Sequence, residues 1–318
     1  MPSSSLGFLK RAALGFFIAT AAVLASAAPI APGSVAAAAP AFLTEADFSR
    51  LETVRKAIAR RDFTGARATI REIADPTARA LGEWYYFEAE DPLVRVTDAD
   101  AFLDAHPEWP SGIKIQSHVE KRMTSTLPAS EILDFFDTRD PVTGEGKLQL
   151  ARAQFAKGET DAAIIHIKDA WRKNTFTLAE EQRLIANYGG RLNQDDHFAR
   201  VDRLLFAREA GTAKRSITYL TGAERRRANV RADLLLGAAR AGDAYNALSP
   251  EDRADAGVML AAIRYFRRRQ EEPRAIALAR SAPTDPAALR NPARWWEEQQ
   301  LLMRWALKNR LYADAYSM

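Results

Sequence analysis

Apolar residues recur at three- and four-residue spacing along most of the chain. Leu51, Val54, Ala57 and Ile58 form one such row, and Phe63, Ala66, Ile70 and Ile73 form the next. This is the period with which a helix buries one face. Runs of alternating Val, Ile, Thr and aromatic residues between Asn-Gly or Asp-Gly turns, the mark of strands, do not occur. The pattern predicts an all-α fold.

A second pattern lies on the first. A short bend, built from a basic or small residue, a Gly or Asp, and then small or apolar residues, recurs at "AIARRDFTGARATI" (57–70), "AQFAKGETDAAIIHI" (153–167), "GAARAGDAYNAL" (237–248) and "ALKNRLYADAY" (306–316). In each, helix A is expected to end at a Lys/Arg-Gly or Arg-Asp bend and helix B to begin with small residues that pack back against it. Such pairs cannot bury their faces alone, so they predict an α-solenoid or superhelix of degenerate, tetratricopeptide-like helix pairs. Thr44 with Asp47 reads as a capping box, and Thr97 and Ser249-Pro250 read as starts of the helices that follow. Longer breaks fall at 105–112, 138–146, 187–196 and 282–292, none long enough for an interdomain linker.

The first forty residues depart from this pattern. Lys10 and Arg11 precede an apolar run from Ala12 to Leu24, followed by Ala25-Ser26-Ala27. That order is the order of a secretory signal peptide. The run is shorter than the roughly 20 residues a membrane span requires, which sets export with cleavage near Ala27 against the alternative of a retained anchor. The expected organisation is therefore a signal peptide (1–27), an Ala/Pro-rich tether (28–42) and a superhelical domain (43–318), in a periplasmic protein. The chain has no cysteine, so neither disulfides nor zinc-thiolate sites are available. Lys+Arg number 45 and Asp+Glu 41, and two of the basic residues sit in the leader, so charge balance gives no support for nucleic-acid binding.

Candidate chemistry is sparse. His106, His118, His166 and His197 are the only histidines and none stands at metal-ligand spacing from another. "NQDDH" (193–197) lacks the frame of a calcium loop and reads as a turn before a helix. Glycine-rich nucleotide loops and the G-x-S-x-G elbow are missing. The adjacent carboxylates Glu180-Glu181, Glu271-Glu272 and Glu297-Glu298 read as solvated helix faces. The basic runs 225–227 and 267–269 must reach solvent in part, which makes a polyanion-facing rim the functional alternative. Trp84-Tyr85-Tyr86-Phe87 and Trp295-Trp296 read as core, with stacking on sugar rings as the alternative. No residue is assigned a catalytic, cofactor-binding or metal-binding role, and no cofactor or nucleotide is expected.

Two stretches in this exported, helix-paired context carry a resemblance. "DAFLDAHPEWP" (100–110) is similar to one element, and "ARWWEEQQLLMRWALKNRLYADAYSM" (293–318) to another, of the superhelical domain of soluble lytic murein transglycosylases. The resemblance extends roughly from Asp47 to Met318. It implies a long helical array, curled into a U or ring, ahead of a lysozyme-like domain that cleaves the MurNAc-GlcNAc bond of peptidoglycan without water. In that family one Glu acts as acid and then base, leaving a 1,6-anhydromuramoyl end, and is marked by Glu-Ser with Gly-Leu-Met-Gln after it. This chain contains neither motif. The resemblance therefore implies a non-catalytic, peptidoglycan-associated scaffold, with glycan strands and other cell-wall enzymes as partners. The apolar spacing of the last residues carries the further expectation of a fragment, truncated inside its second element. The alternative is an exported helical-repeat adaptor that binds other envelope proteins.

Overall fold

A computed structural model of the protein describes residues 43–318. The expected signal peptide and tether lie outside the described residues. Glu45–Met318 forms one compact unit, and its described residues are helical with no strand.

The chain opens with α1 (Glu45–Ala59), α2 (Phe63–Glu72) and α3 (Pro76–Glu88), then α4 (Val96–Ala105), α5 (Gly112–Glu120) and α6 (Ala129–Phe135). A central stretch holds α7 (Gly144–Lys157), α8 (Thr160–Lys173), α9 (Leu178–Tyr188), α10 (Gln194–Phe206) and α11 (Ala210–Ile217). The last part runs through α12 (Gly222–Leu236), α13 (Ala241–Asn246), α14 (Pro250–Ala254), α15 (Ala256–Arg268), α16 (Glu272–Arg280), α17 (Pro292–Lys308) and α18 (Tyr312–Ser317). Extensive backbone contacts join helices close in chain order, such as α7 with α8, α8 with α10, and α12 with α15. The apolar interior is accordingly a succession of clusters: one under α7 and α8, one around Trp171, one between α10 and α12, and a larger one from α12 to α18. This is the architecture of an α-solenoid.

Five helix pairs, α1/α2, α7/α8, α10/α11, α15/α16 and α17/α18, turn in the same way. Each first helix ends at a residue in the left-handed region: Arg61, Gly158, Arg208, Gln270 or Arg310. The next amide closes a hydrogen bond back into the first helix, as in Asp62 N to Ala57 O, Glu271 N to Phe266 O and Leu311 N to Ala306 O, all at 2.9 Å. This is the Schellman closure, which satisfies carbonyls that would otherwise be orphaned at the helix end. Four residues further on stands an alanine each time: Ala66, Ala163, Ala213, Ala275 and Ala315. The first four are fully buried, because the second helix crosses the first too closely for a larger side chain. The bends at 57–70, 153–167 and 306–316 are therefore where the sequence places them. The bend at 237–248 is displaced: α12 ends earlier, at Gly237 with φ 68°, and α13 starts only at Ala241. The pairs at Arg208 and Gln270 were not read from the sequence, since neither turn residue is Gly nor followed by Asp.

Several helix starts follow local chemistry and others do not. Ser249 accepts from Asp252 N, and Asn193 forms a reciprocal capping box with Asp196. Thr97, in contrast, is not a cap: α4 begins one residue earlier, behind Arg95, with no side-chain cap. Asp100, the N3 carboxylate of a Thr97 cap, instead pairs with Arg139 at 2.5 Å, and Asp98 pairs with Arg67 of α2 at 2.7 Å. Tertiary pairing has displaced the local cap.

Buried ions knit the layers. Arg200 of α10 is fully enclosed, with its guanidinium 4.2 Å over the Trp171 ring; it donates to Trp171 O, Asn174 O and Ser216 Oγ and pairs with Glu181. Arg231 of α12 lies against Gly257 so closely that a Cβ there would stand 2.3 Å from the guanidinium carbon. Glycine at 257 is thus what lets α15 approach α12.

Candidate functional site

A cavity lies near the amino-terminal end of the array. Helix α3 forms its floor through Tyr86 and Phe87, α2 one wall through Arg67, Ile70 and Arg71, and α4 the other through Asp98, Ala101, Phe102 and Ala105. Its volume is about 370 Å³. An adjoining hollow of about 370 Å³, lined by Arg61, Phe63, Thr64 and Pro92, shares Arg67 with it, so a groove follows the exposed side of α2.

The stretch 100–110 builds one end of this cleft. Phe102 packs 5.1 Å from Phe87, and the His106 ring lies tilted between Phe102 at 4.9 Å and Trp109 at 5.1 Å. Trp84 Nε1 donates to Pro110 O at 2.8 Å and fixes the loop to α3. Pro107 and Pro110 hold this segment out of helical geometry, and α5 resumes at Gly112.

Charges in the cleft are unevenly paired. Arg67 is held by Asp98 and lies 5.8 Å over the Tyr86 ring. Tyr86 Oη donates to the buried Asp91, and burial together with that bond pushes its pKa up. Arg71 is exposed and makes no ion pair among the described residues, while Arg95 reaches Asp98 only at 3.8 Å. Glu83 has no hydrogen-bond partner among the described residues, and burial raises its pKa despite the nearby His106 and Arg79. The cleft thus offers aromatic faces, two available guanidinium groups and one carboxyl that keeps its proton to higher pH than usual. With Asp98 committed to Arg67, no second free carboxylate faces Glu83. Such a surface suits holding a polar ligand with flat faces and anionic groups.

The other sequence candidates fall outside this site. His118 Nε2 stands 2.8 Å from Glu90. Burial lowers the pKa of His166 and also that of His197, which stacks on Tyr219. The expectation of solvated carboxylate pairs fails for two of the three: Glu181 lies in the Arg200 cluster, and Glu298 is gripped by Arg264 at 2.8 Å and Arg267 at 2.7 Å. The basic runs are partly consumed in the same way, since Arg226 and Arg227 face Asp252 and Arg267 holds Glu298. Trp295 is core as expected, but Trp296 is exposed. No group of three or more candidate metal ligands and no helix long and apolar enough to cross a membrane exists among the described residues. Sequence reasoning missed Arg71, Glu83 and Arg95, which carry no motif and converge only because α2, α3 and α4 do.

Compared with known protein families, curated proteins and solved structures, the chain matches none of them.

Proposed function

We propose that the protein is an exported, non-catalytic helical scaffold that holds peptidoglycan glycan strands, of the kind found as the superhelical region of soluble lytic murein transglycosylases. The observation that carries the reading is the α2 to α4 cleft. Its aromatic end is made by the same residues, 100–110, that resemble the family, and aromatic rings beside polar groups are what sugar rings pack against. Arg71 and Arg95 suit the carboxylates of a glycan bearing acidic substituents or peptide stems. Bond cleavage is assigned to no residue of this chain.

The test is co-sedimentation of the purified protein with insoluble peptidoglycan, followed by the same assay with Arg71→Gln/Arg95→Gln and with Trp109→Ala. Retention in the pellet, reduced in each variant and by added salt for the arginines, supports the reading. A protein that stays in the supernatant at low salt, or variants that sediment as well as the parent, refutes it.

A further inference from the structure

A small cavity, of about 20 Å³, lies where α10, α12, α15 and α17 meet. That is room for one water-sized sphere. Apolar side chains of α10, α12 and α15 supply part of its wall, yet four guanidinium groups also line it: Arg208 just after α10, Arg231 of α12, Arg264 of α15 and Arg294 of α17. One carboxylate, Glu298 of α17, shares the lining. It is already taken, because Arg264 at 2.8 Å and Arg267 at 2.7 Å latch it and Arg208 stands 3.5 Å away.

Arg231 is 4% exposed, and a guanidinium does not give up its proton, so its burial has to be offset by anionic or acceptor partners. It has one carboxylate, Asp202 at 2.5 Å, which Arg290 shares at 3.3 Å. Burial lowers the Arg231 pKa despite that partner. Its Nε is enclosed and has no hydrogen-bond partner among the described residues. This nitrogen faces Gly257, another residue of the cavity wall, where a Cβ would stand only 2.7 Å from it. Gly257 lies in the first turn of α15, where N–H groups lack a carbonyl one turn back and the peptide dipoles leave partial positive charge. A buried cation thus rests on the positive end of a helix with one donor unspent. The surrounding charges lean the same way. Six arginines, the four of the lining with Arg267 and Arg290, share four carboxylates: Asp202, Asp255, Glu297 and Glu298.

We propose that this cavity is a binding site for one monatomic anion of chloride size, which accepts a hydrogen bond from Arg231 Nε and is balanced by the guanidinium groups of Arg208, Arg264 and Arg294. Size sets the class, because a phosphate, a sulfate or a carboxylate exceeds one water-sized sphere. Charge selects within it: a water can accept from Nε but brings no negative charge to a cluster in which cations are in excess. The bound anion ties α12, α15 and α17 through the guanidinium groups they share, so its occupancy stabilises this part of the array. The inference is independent of glycan binding, which is placed on α2 to α4.

The test is thermal unfolding of the full chain, followed by circular dichroism, as sodium chloride or sodium bromide replaces sodium gluconate at constant ionic strength. Gluconate is too large for the cavity and serves as the inert anion. Tm should rise by about 2–4 °C as the halide goes from about 1 to 100 mM, following the logarithmic law of a single site. Arg231→Met should remove the halide dependence whatever it does to the basal Tm. Where that variant does not fold, Arg294→Gln, at a partly exposed position of the lining, should weaken the apparent halide affinity about threefold or more. Crystals soaked in bromide should show an anomalous peak in contact with Arg231 Nε. Equal Tm in halide and gluconate overturns the proposal and leaves water as the partner of Nε. A halide effect that persists undiminished in the variants, or bromide found only on surface arginines, overturns it as well.

Discussion

The α15/α16 and α17/α18 pairs share one backbone and differ in almost everything that stabilises it. Both turn through a left-handed residue, Gln270 or Arg310, and close the same 2.9 Å hydrogen bond. In the first pair helix α15 buries most of its residues and α16 packs Ala275, Ile276 and Ala279 inside; in the second, α18 has no buried residue at all. The backbone hydrogen bonds of a turn set a helix pair's geometry, and the next layer supplies most of its stability. A helix as short as α18 would be marginal on propensity alone.

Four substitutions put that contrast at risk. Glu298→Ala leaves Arg264 and Arg267 facing a buried gap and should cost about 3–5 kcal/mol in urea unfolding, as removal of one member of a buried ion pair does. A loss within experimental error would mean that the latch between α15 and α17 is ornamental. Ile276→Ala should cost about 2–4 kcal/mol, whereas Tyr316→Ala at the equivalent position should change stability by less than about 0.5 kcal/mol. Equal effects at the two positions would break the comparison outright. Gln270→Gly relieves a left-handed side chain and should stabilise by about 0.5–1 kcal/mol after the extra freedom of the unfolded glycine is counted, read as a rise in Tm.

The smallest effect lies outside both pairs and serves as their control. Burial raises the Glu83 pKa above its ordinary 4.5, so folding takes up a proton and stability falls as pH rises through the window between those two values. Glu83→Gln should therefore raise Tm at pH 7 and leave it unchanged below about pH 4. The same gain at both pH values would show that the carboxyl's charge plays no part in it.

Helix content was legible because burial of one face imposes a period that composition cannot hide, and so were the breaks at 105–112 and 187–196, where Pro or paired Gly interrupts it. Turns marked by Gly158 or Asp62 were legible too. Those at Arg208 and Gln270 were not, because an unfavourable left-handed residue is tolerated once the buried alanines after it fix the crossing. The signal that would have found them is an acidic residue three places before a helix-B position followed by alanine, as in Glu209 to Ala213 and Glu271 to Ala275. Burial of Glu181 and Glu298 could not be read, since the arginines that neutralise them lie on other helices. For the cleft, only its aromatic end was visible in advance, as the "HPEWP" stretch; its charged walls depend on three helices meeting.

The succession of small clusters in place of one core has a kinetic consequence. When nearly every extensive contact joins helices that follow closely along the chain, little loop entropy has to be surrendered before a contact forms, and such topologies fold fast. Order can then start at any well-filled pair and spread outward. Amide exchange should accordingly be graded, slowest around the enclosed Trp171 and Arg200 and fastest in α18, which opens without disturbing the layers behind it.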